Sequence, residues 1–448
     1  MTQLRKVVTL RTVISTSAGL AMATSCYTAG IKVATLAVGQ SAWISILVAG
    51  IMCLFAAMCF SELNGMYPSA AGIRLFIERA FGEKAALTIG AFYVGCAIAM
   101  VGPETYILSN VIGVILPQIN GLVWVVFFLG LIAIVNYFGV KIAGWAQDVM
   151  TYAMLVFMFV VGFYAIGKYG VSLRELLPTN NAGSVFEAAA VGVFLYVGFE
   201  WVTPLAEEVT NSKMIAKGMM IAVGILCITY AVFITGMTVV IPKELLAGSP
   251  IPHILVGQTL FADIGLISFI IMSVLASMTS YNAGFLNFSR FMYAMGRDNV
   301  LPRIFSKISP YATPWFAILF CFSISVLISI YIYFSHRFMT LILVSAAIEM
   351  IIYSVMAASV IKLRYSRREL ERPYRIPGGL IIPIITIVFF MILLVGIYLE
   401  EYLVFFIMLG VFGICLLYTW FVVPALRSAH ERRISDRVPR RRRPGVGE

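Results

Sequence analysis

The chain of 448 residues is 61% hydrophobic and only 12% charged, and its mean hydropathy is +0.96. These values exclude an ordinary soluble domain and are typical of a polytopic membrane protein. The net charge of +11 reflects where the basic residues lie along the chain, so it indicates membrane topology and not nucleic-acid binding.

Twelve apolar runs are long enough to cross a bilayer, since a spanning helix needs about 18 or more apolar residues. In chain order, with soft edges, the predicted spans cover residues 12–31, 41–62, 86–116, 121–139, 146–167, 185–206, 217–240, 261–289, 313–334, 338–362, 379–398 and 402–424. The prediction is an all-α integral membrane protein. Twelve spans leave both ends of the chain on one side, and the loops are too short for an appended soluble domain.

The basic residues are unevenly shared between the two sides of these spans. Of the 32 lysines and arginines, 27 fall on the segments of one side and 5 on the other. The richer side is the cytoplasmic one by the positive-inside rule. We therefore expect a multi-pass protein of the bacterial inner (cytoplasmic) membrane, with a cytoplasmic N-terminus at 1–11 and a basic cytoplasmic tail at 425–448. The tail is expected to contact anionic lipids.

Two spans contain polar and glycine residues at corresponding places. The first is interrupted at 15–19 (Ser-Thr-Ser-Ala-Gly) and the sixth at 196–200 (Tyr-Val-Gly-Phe-Glu). Interrupted spans five helices apart are typical of inverted repeats whose broken helices meet near the midplane. This pattern predicts one repeat at 12–167 with helices 1–5, a second at 185–362 with helices 6–10, and peripheral helices 11 and 12 at 379–424.

Three carboxylates lie inside apolar spans: Glu104 in the third, Glu200 in the sixth and Glu349 in the tenth. An ionised side chain at membrane depth costs about 2.5–3.5 kcal/mol on insertion scales, so it is tolerated mainly where it faces a bundle interior or a wet cavity. The spans hold no lysine or arginine away from their edges. We therefore expect an anionic cavity that favours a cationic or zwitterionic ligand.

Other classes of protein find little support in the sequence. No nucleophile, base or metal ligands converge on facing spans, and His253, His336 and His430 fall in predicted loops or the tail without zinc-like spacing. No nucleotide-phosphate loop is present. The prediction is a protein that is not an enzyme and has no catalytic residues, metal site or cofactor. A ligand-sensing receptor is a weaker alternative, because it needs an output domain.

Several motifs in order resemble the amino acid, polyamine and organocation (APC) superfamily of secondary transporters. One is the acidic, proline and glycine loop after helix 2, Ser-Glu-Leu-Asn-Gly-Met-Tyr-Pro-Ser-Ala-Ala-Gly at 61–72. Another is the broken helix 6, Phe-Leu-Tyr-Val-Gly-Phe-Glu at 194–200, followed by Glu-Glu-Val-Thr-Asn at 207–211. The remaining matches lie at 136–151, 289–298 and 372–378. The resemblance covers almost the whole chain.

The resemblance implies a leucine-transporter-like fold with a 5+5 inverted repeat and broken helices 1 and 6, working by alternating access. It implies a secondary active transporter of amino acids or related organic amines, with symport, antiport and facilitated transport all open. The runner-up is an exchanger that swaps an amine precursor for its product. Coupling to protons or another ion gradient stays open, as does the oligomeric state. The expected partners are a small-molecule substrate and membrane lipids.

The candidate substrate-binding residues come from the breaks, the carboxylates and the resemblance. Amides at Ser17, Ala18 and Gly19 are suited to a carboxylate, and carbonyls at Tyr196 and Gly198 to an ammonium group. The resemblance adds Phe194 as an aromatic gate. The full predicted set is Ser17, Ala18, Gly19, Glu104, Phe194, Tyr196, Gly198, Glu200, Tyr281, Asn282, Gly284 and Glu349.

Two positions depart from the pattern of the superfamily. The segment 17–21 (Ser-Ala-Gly-Leu-Ala) lacks the usual glycine pair of helix 1, which keeps an amine without a carboxylate open as the substrate. Met154 stands where proton-coupled relatives carry a lysine. A methionine cannot titrate, so we do not expect proton coupling through that position.

Overall fold

A computed structural model describes residues 6–37, 41–171, 176, 182–211 and 213–428. The regular secondary structure of the described chain is helical, apart from an isolated bridge between Val8 and Val209. The predicted basic tail lies mostly outside the described residues, because residues beyond 428 are not among them.

The helices follow the predicted spans in chain order. In the first half they are α1 (Leu10–Ala21), α2 (Ser25–Leu36), α3 (Ala42–Met66), α4 (Gly72–Phe81), α5 (Glu83–Ile115), α6 (Gly121–Tyr137) and α7 (Val140–Tyr169). In the second half they are α8 (Ala182–Gly192), α9 (Lys213–Val240), α10 (Lys243–Ala247), α11 (Pro252–Arg297), α12 (Trp315–Ser335), α13 (Phe338–Ser366), α14 (Ile381–Glu400) and α15 (Tyr402–Leu417). Two 3₁₀ helices, Val193–Tyr196 and Phe199–Glu207, follow α8.

Ten helical segments of the described chain are long and apolar enough to cross a membrane. The predicted fourth span corresponds to α6, which has only 17 residues. The predicted first span corresponds to α1 and α2, each of 12 residues. Each predicted span thus has a helical counterpart, while the total of twelve crossings stays a prediction.

The predicted break in the first span was placed wrongly. Residues 15–19 lie inside α1, and the helix ends at Ala21 before α2 begins at Ser25. Gly19 serves close packing instead, because a Cβ there would lie 1.9 Å from Nε2 of Gln147 and 2.5 Å from Oγ1 of Thr151 on α7. Small residues commonly let membrane helices approach in this way.

The predicted break in the sixth span is confirmed. The first 3₁₀ helix ends at Tyr196, and Gly198 has a φ of 109° before the second begins at Phe199. A positive φ of this size is unfavourable for residues with a Cβ, so glycine is the residue that permits the turn here.

Helix α11 departs from the predicted eighth span at its beginning. It starts at Pro252, well before residue 261, and its backbone leaves the helical region at Phe261 and Ala262. His253 therefore lies in the first turn of a helix and is buried, with Nε2 2.8 Å from Oγ of Ser273. The prediction that His253 lies in a loop was wrong.

The helices form one bundle around a continuous apolar core. Helix α9 packs against α1, α3 and α7, and α13 packs against α5 and α14. Helix α14 keeps apolar side chains on its outside, with Ile392 and Leu399 exposed. Exposed aliphatic side chains on a spanning helix are suited to lipid contact.

Several ion pairs join residues that are far apart in sequence. Their members lie in the loops predicted to face the cytoplasm, except Glu62, which is the last residue of the predicted second span. Four such pairs are Arg74–Asp298, Arg290–Glu208, Arg297–Glu207 and Arg364–Glu62.

Candidate functional site

Glu104 lies at the break between α1 and α2. Its Oε1 accepts the backbone N–H of Thr24 at 3.0 Å, and its Oε2 accepts that of Ser25 at 3.1 Å. These amides open α2, where the helix dipole favours negative charge. A carboxylate from α5 thus occupies the beginning of the second half-helix.

Other helices satisfy the backbone groups that end α1. The Tyr230 hydroxyl on α9 donates to the carbonyl of Ala21 at 2.7 Å, and Ser280 on α11 donates to the carbonyl of Leu20 at 3.3 Å. Irregular backbone at membrane depth is tolerated only where it finds such partners. Three different helices therefore stabilise the first break.

The C-terminal half of α1 contacts the second break directly. Ser17 Oγ on α1 donates to the carbonyl of Phe199 at 2.7 Å. The Leu20 side chain fills the space beside Gly198, where an added Cβ would lie 2.7 Å from Cγ of Leu20. These contacts join α1 to the second broken segment.

A cavity of about 60 Å³ lies beside both breaks. Leu20 comes from the first broken segment and Trp201 from the second. Among the predicted residues, Glu104, Tyr281 and Gly284 line it. The other lining residues are mainly apolar and come from α5, α11 and α12: Ala97, Ile98, Met100, Val101, Ser280, Phe285, Phe288, Cys321, Ile324, Ser325 and Ile328.

Only one of the three predicted carboxylates reaches this cavity. None of the described lining residues is lysine or arginine. Glu200 and Glu349 are buried elsewhere and do not line it. Of the three carboxylates, the structure therefore brings only Glu104 to this cavity, and Glu104 is the one acidic residue among the described residues that line it.

Glu200 and Glu349 belong to a buried polar cluster behind Trp201. Glu200 accepts hydroxyl hydrogen bonds from Tyr93 at 2.9 Å and Tyr353 at 3.0 Å. Glu349 accepts the indole N–H of Trp201 at 3.4 Å. The Tyr93 ring stacks on Trp201 with ring centroids 3.9 Å apart. This cluster holds Trp201, which also lines the cavity.

Several predicted residues that do not line the cavity hold helices together. The Tyr196 hydroxyl donates to the carbonyl of Ile46 at 2.8 Å. The side-chain amide of Asn282 donates to the Ala143 carbonyl at 2.9 Å and to Oε1 of Gln147 at 2.8 Å. Phe194 is buried and is not among the lining residues.

The predicted triplet Ser17, Ala18 and Gly19 also serves the helix and its packing. The carbonyl of Ala18 accepts the N–H of Met22 at 3.0 Å, which ends α1. The triplet lies inside α1, where backbone N–H groups bond within the helix. The amides that meet Glu104 at the break are those of Thr24 and Ser25.

The sequence prediction missed Thr24, Ser25, Trp201 and Ser325. Thr24 and Ser25 carried a signal, because serine and threonine commonly open helices. Trp201 directly follows a predicted site residue. No signal in the sequence marked Ser325, because a single serine in a long apolar span usually serves helix contacts.

Comparisons with known proteins give the family of the chain. A family model described as amino acid permease matches residues 12–423. The branched-chain amino acid permease BcaP of Bacillus subtilis (strain 168) is 29% identical over 389 residues, which are 80% of this chain and 81% of the relative. The methylthioribose transporter of the same organism is 26% identical over 384 residues, 79% of this chain and 80% of the relative.

A solved structure shows the same fold. The crystal structure of a mutant manganese transporter of Eremococcus coleocola aligns with a TM-score of 0.62 and 11% identity, covering 95% of this chain and 98% of that chain. At this identity the likeness concerns the fold alone. Because the amino acid permease model spans nearly the whole described bundle, the chain belongs to the amino acid permease family, in the APC superfamily of membrane transporters.

Proposed function

We propose that this protein is a secondary active transporter of amino acids or related organic amines that works by alternating access. The observation that carries the proposal is the cavity beside two broken helices, with Glu104 in its wall. Broken helices around a central site are the usual way in which transporters bind polar substrates at membrane depth. The names of the relatives support amino acids as the broad substrate class.

The proposal includes the setting of the protein in the membrane. We place it in the cytoplasmic membrane with both termini in the cytoplasm, on the strength of the uneven distribution of basic residues. Proton or other ion gradients are the proposed driving force. Met154, where a titratable lysine stands in some relatives, is buried on α7, so coupling through that position is not part of the proposal.

Ligand binding is the first test. The purified protein is heated with a panel of amino acids, polyamines and simple amines, because a ligand that binds only the folded state raises its apparent stability. A raised unfolding midpoint with one chemical class supports the proposal. If no member of the panel raises it, the protein does not bind this substrate class and the proposal is wrong.

Transport is tested with proteoliposomes and the best ligand of that panel. Uptake into empty vesicles under an imposed pH gradient supports gradient-driven net transport. Uptake only into vesicles preloaded with a related amine supports the exchanger. Uptake that is the same in vesicles without protein contradicts both.

A further inference from the structure

We propose that the preferred substrate is an organic ammonium compound with an apolar body and no free carboxylate. This inference rests on the proposed function and specifies its substrate class. The geometry behind it is the position of Glu104, whose carboxylate occupies the beginning of α2. Glu104 therefore supplies, at the beginning of α2, the carboxylate that an amino acid substrate would otherwise place there.

The first amides of α2 all have protein partners. Glu104 accepts those of Thr24 and Ser25. The amide of Cys26 donates to the Ala23 carbonyl at 3.0 Å, and that of Tyr27 to the Thr24 carbonyl at 3.1 Å. Free N–H groups are what make a helix N-terminus an anion site. A substrate carboxylate would have to displace Glu104 to find one here.

The charge of the cavity wall also disfavours a carboxylate. Glu104 is the only acidic residue among the described residues that line the cavity, and no lysine or arginine lies among them. A second carboxylate would be repelled by Glu104 in surroundings that screen charge weakly. An ammonium group, in contrast, would be attracted to it.

Glu104 can bind an ammonium group without releasing the helix. An ionised carboxylate offers about four lone-pair directions, and the two amides use one on each oxygen. The hydroxyls of Thr24 and Ser277 also lie beside this carboxylate. An ammonium group from the cavity would therefore compete with rotatable hydroxyl donors and not with the helix amides. The Trp201, Phe285 and Phe288 side chains in the same wall are suited to an apolar substrate body.

Matched ligands test the carboxylate directly on the unmodified protein. Each set has the same side chain: leucine, leucinamide and isoamylamine, or phenylalanine, phenylalaninamide and phenethylamine. Binding is measured by ligand-induced stabilisation and by isothermal calorimetry. We expect the amines and amides to bind at least about tenfold more tightly than the amino acids, a difference of about 1.4 kcal/mol. Amino acids that bind as tightly as their amines would overturn the inference.

Two variants test whether Glu104 is the cause. Glu104→Gln keeps the size of the side chain but removes its charge, so we expect loss of amine binding. Glu104→Ala also frees the amides of Thr24 and Ser25, so we expect the preference to move toward the amino acids. The control is Glu244→Gln, which removes an exposed carboxylate on α10 and should leave the preference unchanged. A Glu104→Ala protein that keeps the wild-type preference contradicts the inference.

The two proposals fail in different ways. If amino acids and amines bind the unmodified protein equally well, the inference about Glu104 is wrong and the transport proposal stands. If neither class binds, both are wrong. The measurements on the unmodified protein decide the inference even where a variant does not fold.

Discussion

Gly284 leaves open space on the wall of α11 that faces the cavity. An added Cβ would lie 3.7 Å from Cδ1 of Leu20, which is an ordinary contact distance. A larger side chain can therefore be accommodated at the backbone while it fills the cavity. Because glycine has no side chain, Gly284 leaves space in the cavity for a ligand.

We expect Gly284→Leu to abolish ligand-induced stabilisation while the unfolding midpoint without ligand changes little. The physical reason is that the new side chain occupies the cavity of about 60 Å³. The matched control is Gly224→Leu on α9, where no atom lies within 4 Å of an added Cβ. Unchanged ligand binding in the Gly284 variant would show that the substrate binds elsewhere.

Gly198 combines a positive φ of 109° with close contact to Leu20. We expect Gly198→Ala to cost about 1–3 kcal/mol through backbone strain, and more through the clash with Leu20. The measurement is the thermal unfolding midpoint in detergent. The comparison is the same substitution in a Leu20→Ala background, where the side chain that crowds the added Cβ is absent. Equal losses in the two backgrounds would mean that the Leu20 contact contributes nothing.

At the scale of single elements, a fully buried ion pair holds α11 against the second broken segment. Arg290 on α11 donates from Nε to Oε1 of Glu208 at 2.6 Å, and neither side chain is exposed. Glu208 directly follows the second 3₁₀ helix, and its carbonyl accepts the N–H of Val8 at 3.0 Å. The ion pair therefore links α11 to the residue after the second 3₁₀ helix, and the backbone hydrogen bond links that residue to the segment just before α1.

Removing one partner of this pair should be costly. We expect Glu208→Ala to destabilise the fold by about 3–5 kcal/mol, because a buried guanidinium is left without its counter-charge. The double variant Glu208→Leu with Arg290→Met should recover much of that loss. The control is Glu369→Ala, which breaks the exposed Arg367–Glu369 pair and should change the unfolding midpoint little. A Glu208→Ala protein of normal stability would contradict the role of the pair.

At the scale of the whole molecule, the proposed alternating access requires the end of the bundle that holds these ion pairs to open. Glu207 links elements at this end by accepting the N–H groups of Nη1 and Nη2 of Arg297, both at 3.0 Å, and the amide of Ala70 at 2.9 Å. Cys321 on α12 reports on the opening, because it lines the cavity and is only 2% exposed.

We expect Glu207→Gln to increase the rate at which Cys321 reacts with a maleimide, in a variant that keeps only this cysteine. Loss of the charge weakens these contacts and shifts the population toward an open state. A bound substrate should slow the reaction. Glu244→Gln, at an exposed position on α10, serves as the control. An identical rate in the Glu207 and Glu244 variants would mean that this ion pair does not control access.

The sequence by itself determined the membrane class, the position of the helices and the second break. Hydropathy along the chain decides where spans fall, because each residue partitions into the bilayer largely on its own chemistry. The turn at Gly198 could be predicted for a similarly local reason, because few other residues adopt a φ of 109°. Motifs spread over the chain were enough to predict the superfamily.

Only the tertiary structure decided how the site is assembled. Gly19 and Gly198 are the same residue type in the sequence. In the structure, however, Gly19 allows close packing against α7, and Gly198 allows the chain to turn. Glu104, Glu200 and Glu349 were equal candidates, and only Glu104 meets the cavity and the amides of α2. The physical reason is that a glycine or a buried carboxylate acquires its role from the side chains and backbone groups that neighbouring helices place against it.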